Sequence, residues 1–364
     1  KTFLDDDDIR MITVLISDTS LRLRFNQTIS DYFTTNIGVP QGDSLSPLLF
    51  NIYLEAALRE LSSHLGFTNL ELLHRMIAYA DDCDFVTDDP DLIDRIQAEA
   101  PEILNRWNLK MNITKSEFTR VEKCEKRQEE YWRNTKKLGS LLGDPEDVSR
   151  RKNLARTAMS NLWKLWFNKN SLCEKLRIRI YNAYIKPVLI YNSGTWGLTK
   201  TKMKGLESFH RSQLRRVLGV YHPEHVSNAT VYLRSKCPPL RYDLLQARWR
   251  CFRRILCSDP EIPANLEMEG YFKCEEQKQR GRKTMCLPLC LHKDLQMIDE
   301  KLLTLKDFHH YRGQAQDPMS WTDIINRLLE ALMEKYEEEE RKRLERNNNR
   351  GHANPLYDSD IDEE

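Results

Sequence analysis

The stretch Met76-Ile77-Ala78-Tyr79-Ala80-Asp81-Asp82-Cys83-Asp84-Phe85-Val86 places an acidic pair between two short apolar runs. Apolar runs on either side of a tight polar turn are typical of a β-hairpin. Asp81 and Asp82 would then lie at the hairpin tip, where neighbouring carboxylates repel each other unless a cation lies between them. Two divalent ions about 4 Å apart are the usual arrangement for phosphoryl transfer. An Asp-Asp turn with no further feature is more often an ordinary turn, because aspartate favours turns through local hydrogen bonds.

A glycine-containing loop, Gly38-Val39-Pro40-Gln41-Gly42-Asp43-Ser44-Leu45-Ser46-Pro47, precedes the hairpin. Ser46 as N-cap and Pro47 as the first helical residue predict a helix that ends near Gly66. Backbone N–H groups at such a helix start can receive a phosphate, and Gln41 offers a donor and an acceptor to a base or sugar edge. Taken alone, the loop is compatible with an ordinary capped turn. The loop, the helix and the Asp-Asp hairpin together are much rarer by chance.

These segments resemble reverse transcriptases. Gly38–Tyr53 looks like their Gln-Gly loop, and Tyr79–Asp82 looks like their Tyr-x-Asp-Asp box. The order continues with Asn108–Glu117, which resembles the next palm motif, and with Lys137–Gly143, which resembles the turn that grips the primer. The resemblance implies an RNA-directed DNA polymerase that extends a DNA primer on an RNA template from deoxynucleoside triphosphates.

The resemblance also implies roles for individual residues. Asp81 and Asp82 would be catalytic carboxylates that bind Mg²⁺ in a two-metal site. Gln41, Gly42 and Tyr79 would contact the incoming nucleotide and the template.

Three further positions follow from the same resemblance. Lys115 is a candidate acid for the pyrophosphate leaving group, because a nearby lysine can deliver a proton to the leaving oxygen. The alternative for Lys115 is a surface lysine without a catalytic role. Leu138 and Gly139 would form the primer grip.

The downstream half points to one class of reverse transcriptase. Three sets of segments in it are similar to segments that non-LTR (LINE-type) retrotransposons carry after the palm, unlike group II introns, retrons and telomerase. The segments are Ile185–Trp196, Leu214–Gly219 followed by Val226–Asn228, and Gly281–Lys283 with Lys293–Leu295.

Charge is strongly segregated along the chain although the net charge is only +1. Residues 150–256 hold 23 Lys and Arg against 4 Asp and Glu, whereas residues 1–149 hold 17 against 27. A basic block of this size predicts contact with a phosphate backbone, and a solvated helical surface is the alternative. Aromatic residues interleaved with the cations suit a thumb that tracks a duplex, although each taken singly is more often a core residue; they are Trp163, Trp166, Tyr181, Tyr184, Trp196 and Trp249.

Local patterns predict an α+β fold, a partial polymerase palm of antiparallel strands and helices followed by a mostly helical thumb-like domain. Within the palm we expect a helix over 9–16, a strand over 21–25, a helix from Asp89 through Pro101 to Trp107, and a strand over 109–113. Pro187, Pro238 and Pro239 should break the helices of the basic block.

The expected domains are a partial palm (1–145), a basic helical thumb-like domain (146–265), a mostly helical region (266–346) and a disordered acidic tail (347–364). Nine scattered cysteines suggest reduced, buried thiols of an intracellular protein. The sequence does not choose between nucleus and cytoplasm, shows no membrane span and names no protein partner.

One departure limits the resemblance. Reverse transcriptases take a third metal-binding aspartate from an earlier palm strand, and this chain begins after that point, as expected of a C-terminal fragment. Asp5–Asp8 are better interpreted as a cap on the first helix. We therefore expect little activity from this chain alone, and the alternative function is an inactive remnant that still binds nucleic acid.

Overall fold

The structure is a computed structural model that divides the chain into two compact units, Lys1–Ser116 and Glu117–Glu364. It describes residues 5–17, 20–34, 38–68, 71, 74–124, 126, 129–164, 172–224, 226–274, 285–298 and 305–349. The sequence prediction placed the first boundary after residue 145 instead. The segment before residue 145 belongs with the second unit because it is hydrogen-bonded to the helix that follows it, as where Leu141 N–H donates to Asp147 Oδ1 at 3.0 Å.

The first unit begins with helix α1 (Asp6–Ile16). The Asp5 carboxylate accepts hydrogen bonds from the N–H groups of Asp7 and Asp8 at 3.0 and 2.8 Å. A negative charge at this end also interacts favourably with the positive end of the helix dipole. The predicted acidic cap is confirmed.

An exposed antiparallel hairpin follows α1. Its outer pair is β1 (Ser20–Leu21) with β4 (Phe33–Thr34), and its inner pair is β2 (Arg24–Phe25) with β3 (Thr28–Ile29). The single strand predicted over 21–25 is therefore two short strands. The ladder is interrupted because Leu23 N–H donates to the Ser30 side chain at 2.9 Å instead of to a backbone carbonyl.

The core of the first unit lies between two helices and a second hairpin. The helices are α2 (Ser46–Leu65) and α3 (Pro90–Arg106), and the hairpin strands are β5 (Met76–Tyr79) and β6 (Asp82–Phe85). Buried apolar side chains of both helices form this core, and three hairpin side chains pack on it. The helix residues are Leu58, Leu61, Leu65, Leu92, Ile96, Ala100 and Ile103, and the hairpin residues are Met76, Cys83 and Phe85.

The structure confirms the predicted helices at α1, α2 and α3. α2 ends at Gly66, whose φ of 76° is a left-handed conformation that glycine adopts without strain. α3 is capped by Asp89, which accepts from Asp91 N–H, and continues through Pro101.

The strand predicted over 109–113 is wrong. Residues 109–112 form no strand, and Ile113–Lys115 form a 3-10 helix. A strand needs a neighbour for its N–H and C=O groups, and none of the described strands pairs with this segment. Met111 is held instead by packing of its side chain against the core.

The described strands of the second unit form one small hairpin, β7 (Lys136–Lys137) with β8 (Ser140–Leu141), and the described residues after it are mostly helical. The described helices are α4 (Asp144–Leu162), α5 (Glu174–Ile180), α6 (Lys186–Leu189), α7 (Lys200–Leu218), α8 (Asn228–Ser235), α9 (Leu240–Cys257), α10 (Pro263–Cys274), α11 (Leu287–Leu295), α12 (Leu305–Ala315) and α13 (Pro318–Asn349).

The sequence predicted that Pro187 breaks a helix, and this prediction is wrong. The chain passes from α5 through one π-helical turn, Tyr181–Ile185, directly into α6. Proline lacks an N–H group and its ring collides with the carbonyl four residues earlier in a regular helix. The wider π turn before Pro187 removes that collision. Pro239, in contrast, is the N-cap of α9, so Pro238 and Pro239 do lie at a helix boundary.

Two apolar cores fill the second unit and meet within α9. The first extends from α4 to Leu244, and the second runs from Leu245 to Leu328. The sequence prediction divided this region after residue 265, whereas the change of core occurs inside a continuous helix. α13 ends at Asn349, three residues beyond residue 346, where the predicted helical region ended and the predicted disordered tail began. Residues 347–349 are therefore helical, and residues 350–364 lie outside the described part.

The α+β class predicted from the sequence is confirmed, with antiparallel two-stranded sheets in a predominantly helical chain. No described helix is long and apolar enough to cross a membrane. The eight cysteines with described side chains are free thiols, but only Cys237 and Cys290 are buried and Cys173 and Cys257 are exposed. The predicted burial thus holds for Cys237 and Cys290 and is wrong for Cys173 and Cys257.

Candidate functional site

The acidic pair lies at the tip of the β5–β6 hairpin, as the sequence predicted. Tyr79 pairs with Asp82, so Ala80 and Asp81 form a two-residue turn. Ala80 has a φ of 52°, the left-handed conformation that short hairpin turns require. The Tyr79 ring is 69% exposed, and both Asp81 and Asp82 are exposed. The tip therefore presents two carboxylates and an aromatic ring to solvent.

The hairpin is fixed from its base. The backbone N–H of Val86 donates to the carbonyl of Arg75 at 2.7 Å, and the Arg75 guanidinium donates to Thr87 Oγ1 at 3.0 Å. Met76 and Phe85 pack on the core of the first unit. The apolar residues of the quoted stretch thus anchor the hairpin, and its acidic residues are left at the free end.

The negative charge of the tip affects the adjacent thiol. Burial raises the pKa of Cys83, and the carboxylates of Asp84, Asp82 and Asp81 raise it further because each disfavours a neighbouring thiolate. The same field favours a cation at the tip.

The donors at the tip fit Mg²⁺, a hard cation that binds through one or two carboxylates and completes its shell with water and substrate phosphates. Asp81 and Asp82 supply such a pair. Across the described ranges, no group of three or more His, Cys, Asp or Glu side chains could hold a metal ion. The tip is therefore an open two-carboxylate face, in contrast to a closed protein cage.

The Gln41–Gly42 loop forms an exposed turn before α2. Gly42 has a φ of 96°, and a Cβ built on it would meet no atom within 4 Å. Glycine is thus required by the backbone conformation and leaves open space beside the turn. The prediction that Ser46 is the N-cap of α2 is wrong, because Ser46 is the first residue of the helix. The Ser46 hydroxyl donates to Asp43 Oδ2 at 3.4 Å. Leu45 occupies the cap position, and its side chain makes no capping hydrogen bond.

Lys115 ends the short 3-10 helix of the first unit and is exposed. Within the described residues, no hydrogen bond or ion pair joins Lys115, Gln41 and the two aspartates to one another. These residues share the first unit, and Leu138 and Gly139 belong to the second.

Leu138 and Gly139 form the turn of the β7–β8 hairpin, with φ values of 46° and 80°. The second unit holds this turn firmly. Tyr191 Oη donates to the Leu138 carbonyl at 2.9 Å, and Arg150 and Arg151 donate to the Gly139 carbonyl at 2.6 and 2.5 Å. The Arg151 guanidinium also stacks 4.3 Å above the Tyr191 ring.

Asp147 connects this turn to the downstream half of the chain and was missed by the sequence analysis. Its side chain is 1% exposed, accepts from Leu141 N–H at 3.0 Å and from the Trp196 indole at 3.1 Å, and lies 3.5 Å from the Arg151 guanidinium. The only sequence signal was an acidic first turn in a basic helix. The sequence analysis placed Trp196 among the aromatic residues that suit a duplex-tracking thumb. The structure shows that Trp196 is buried and that its indole N–H donates to Asp147.

The other aromatics of the basic block separate into two groups. Tyr181, Trp196 and Trp249 are buried in the cores, as the core alternative predicted. Tyr184 is 58% exposed, and Trp163 is half-buried beneath Arg216. Trp166 and the segment Gly281–Lys283 lie outside the described residues.

Comparison with known families agrees with the geometry of the first unit and the following hairpin. Residues 5–143 match the family described as Reverse transcriptase (RNA-dependent DNA polymerase). The matched stretch includes the Gln41–Gly42 loop, the Asp81–Asp82 tip, Lys115 and the Leu138–Gly139 turn. The match to a reverse transcriptase domain is limited to residues 5–143, which are less than half of the chain. No curated protein and no solved structure matches the chain.

Proposed function

We propose that this chain is the palm and thumb portion of an RNA-directed DNA polymerase of the non-LTR retrotransposon type. The observation that carries the proposal is the exposed Asp81–Asp82 tip of the β5–β6 hairpin within the stretch that matches reverse transcriptases. Adjacent carboxylates at a rigidly anchored turn suit nucleotidyl transfer, whose transition state concentrates negative charge on phosphate oxygens.

Each residue of the site has a distinct task in this proposal. Asp81 and Asp82 would hold Mg²⁺, which when bound supplies the positive charge that phosphoryl transfer requires. The Gln41–Gly42 turn would receive the nucleotide, because its glycine leaves space for close approach to the backbone. Tyr79 would pack against the nucleotide or the template. Lys115 would donate a proton to the pyrophosphate oxygen as it leaves.

The non-LTR assignment draws support from the downstream segments. Tyr191 and Trp196, in the first segment, bond to the Leu138 carbonyl and to Asp147. Arg215, in the second, donates to the Asn228 side chain at 2.6 Å and to the Val226 carbonyl at 3.3 Å. Asp294, in the last, accepts from Arg248. Described residues of the segments that suggested the family thus form several of the polar links within the second unit.

Primer extension on an RNA template with Mg²⁺ tests this proposal. The assay compares this chain as given with the same chain joined to the upstream sequence of its gene. In whichever form extends the primer, we expect Asp81→Asn with Asp82→Asn to lower synthesis by several orders of magnitude, because removal of metal ligands impairs phosphoryl transfer directly. The matched control is Asp88→Asn with Asp94→Asn, which removes the same charge from exposed positions of the first unit. Equal loss in both variants, or undiminished synthesis without Asp81 and Asp82, would contradict the assignment.

The second candidate is a protein that binds nucleic acid without chemistry. It is favoured by the two-carboxylate tip, since the described residues contribute no third ligand to a metal group. In that case primer extension would be undetectable, while binding to an RNA–DNA duplex would be strong, sensitive to salt and unaffected by Asp81→Asn with Asp82→Asn.

A further inference from the structure

Two carboxylates in the first turn of α4 bind one loop of the second unit, residues 193–197, which we call the support loop. Asp144 Oδ2 accepts from the Gly197 backbone N–H at 2.8 Å, and Asp147 Oδ2 accepts from the Trp196 indole N–H at 3.1 Å. The acceptors lie about one helical turn apart, and their donors are consecutive residues. The two bonds together fix both the distance and the rotation of the support loop relative to α4.

The support loop is itself packed against the backbone of more distant segments. A Cβ built on Gly194 would lie 2.7 Å from the carbonyl oxygen of Ala247 in α9, and one built on Gly197 would lie 2.6 Å from that of Met285. Cβ atoms essentially never come within 3.0 Å of another heavy atom, and a backbone carbonyl does not swing aside as a flexible side chain does. Glycine is therefore required at both positions, and the support loop has little freedom to shift.

The other oxygen of the Asp147 carboxylate holds the β7–β8 hairpin. Asp147 Oδ1 accepts from the Leu141 N–H at 3.0 Å and lies 3.5 Å from the Arg151 guanidinium. Arg151 in turn donates to the Gly139 carbonyl at 2.5 Å and to the Ser140 hydroxyl at 2.8 Å. One carboxylate thus joins the support loop, through one oxygen, to the hairpin and its turn, through the other.

Burial makes this arrangement depend on the charge of Asp147. The side chains of Asp147 and Arg151 are 1% and 7% exposed, so water solvates neither charge well. Removing one partner of a buried ion pair leaves the other charge without compensation, which is strongly destabilising. We expect an Arg151 side chain without its carboxylate to turn toward solvent and to release the Gly139 carbonyl.

We propose that Asp147 is a positioning residue that holds the Leu138–Gly139 turn where it receives the recessed 3′ end of a primer. Asp147 is buried and does not touch the primer; it acts through Arg151 and Leu141. The choice of a primer as the ligand rests on the proposed function, in which this turn grips the primer. The hydrogen bonds that hold the turn do not depend on that function, so the two can be tested separately.

The first measurement uses the whole chain without substrates. Trp196→Phe keeps a buried ring and removes the donor to Asp147. Its matched control is Trp321→Phe, because Trp321 is equally buried, at 2% exposure, and donates to the Trp249 carbonyl at the same distance of 3.1 Å. We expect about tenfold faster hydrogen exchange in the peptide covering 136–141 for Trp196→Phe, since the lost bond is to a charged group. Trp321→Phe should leave that exchange unchanged.

The second measurement asks whether the turn positions a primer. The affinity of the whole chain is measured for one RNA template, annealed either to a DNA primer with a recessed 3′ end or to a DNA strand that covers the template completely. We expect Trp196→Phe to lower the affinity for the recessed primer by about tenfold and to leave the affinity for the complete duplex unchanged. Asp147→Asn should cause a larger loss of the same kind, and Trp321→Phe should cause none.

Kinetics provide a further readout in any form of the chain that extends a primer. Trp196→Phe should raise the KM for primer–template and leave kcat at saturating primer and the KM for nucleotide unchanged, because the support loop contacts neither Asp81 nor Asp82. Circular dichroism checks that each variant folds. If Asp147→Asn does not fold, Trp196→Phe still decides the question, because it leaves the buried ion pair in place.

Three results would overturn the positioning role. The first is unchanged exchange in Trp196→Phe, and the second is faster exchange with the full preference for the recessed primer retained. The third is an equal loss of affinity for both nucleic acids, which would indicate a general change of structure.

The positioning role and the proposed function fail separately. A preference for the recessed primer that disappears in Trp196→Phe supports the positioning role, and if no form of the chain extends a primer, the polymerase is rejected. Synthesis that requires Asp81 and Asp82 while Trp196→Phe behaves like the natural chain rejects the positioning role alone. A natural chain that binds both nucleic acids equally overturns the positioning role, and primer extension then decides the polymerase.

Discussion

His210 is a single residue whose surroundings decide how the second unit responds to acid. It is fully buried, with Nδ1 2.7 Å from the Tyr181 hydroxyl and its ring stacked near Tyr232. Burial, together with the nearby charges of Lys186 and Arg211, lowers the pKa of His210 to about 3. The imidazole is therefore neutral in the folded protein at every pH where the chain is expected to work.

The pH dependence of stability follows from this shift. The unfolded chain protonates His210 near its ordinary pKa of about 6.5, whereas the folded chain does not, so stability falls as the pH drops below that value. Between about pH 7.5 and about pH 5 we expect His210 alone to lower the free energy of unfolding by about 2 kcal/mol. Urea unfolding at both pH values should show this difference for the natural chain.

The variants isolate the contribution of His210. Between about pH 7.5 and about pH 5, the free energy of unfolding of His210→Gln should fall by about 2 kcal/mol less than that of the natural chain, whatever the substitution does to absolute stability. The control is His74→Gln, which changes an exposed histidine of the first unit and should leave the loss intact. A loss that persists in His210→Gln would mean that the imidazole is protonated in the folded state.

At the scale of elements, the β7–β8 hairpin depends on residues far along the chain for its position. Two residues of left-handed φ make the turn, and Tyr191, Arg150 and Arg151 hold its carbonyls. If the turn contacts the primer, then the loop after α6 controls a contact needed for synthesis.

Tyr191→Phe tests this dependence with a minimal change. The variant keeps the ring beneath Arg151 but removes the hydrogen bond to the Leu138 carbonyl, worth about 1 kcal/mol. We expect about fivefold faster hydrogen exchange at the hairpin amides, measured by mass spectrometry of the peptide covering 136–141. Tyr131→Phe, at an exposed residue of the same unit, is the control. Unchanged exchange in Tyr191→Phe would show that the bond does not restrain the hairpin.

Elements were predictable from the sequence where their causes are local. Gly66 ends α2, Asp89 and Pro90 begin α3, and the Tyr79–Asp82 turn forms at the expected residues, because each depends on neighbours within one turn of chain. The bond between Asp147 and Trp196 spans 49 positions. A contact of that separation depends on packing, which leaves no periodic signal in the sequence.

The same reasoning explains the wrong predictions. The pattern over 109–113 alternates like a strand, but no described strand offers it a partner. Pro187 has the local signature of a break, but a π turn before it keeps the helical path continuous. Both outcomes depend on neighbours that the local sequence does not specify.

At the scale of the whole molecule, the two units differ in how much apolar surface they bury. The second has two cores rich in buried aromatic residues, including Trp196, Trp249 and Trp321. The first has one small core, and large apolar side chains of α1 and its hairpin are exposed, such as Val14 at 75% and Phe25 at 79%. Burial of apolar area is the main source of stability. The second unit should therefore be the more stable of the two when each is separated from the other.

We therefore expect residues 117–364 to fold when expressed alone. The fragment should show helical circular dichroism and one cooperative thermal transition, because α9 contributes to both of its cores. Residues 1–116, prepared in the same way, serve as the comparison and should unfold at lower temperature or associate. Two well-separated transitions in the 117–364 fragment would show that its cores unfold independently.

The point in α9 where the two cores meet, between Leu244 and Leu245, also limits where insertions and deletions can occur in this chain during evolution. Leu244 faces one core and Leu245 the other, about 100° apart around the helix axis. An extra codon in a surface loop displaces little, but one inserted between these leucines would turn every later residue of α9 by that angle. Trp249, Phe252 and Leu256 would then leave the second core together, so we expect lineages of this chain to gain and lose residues in loops but not at this point.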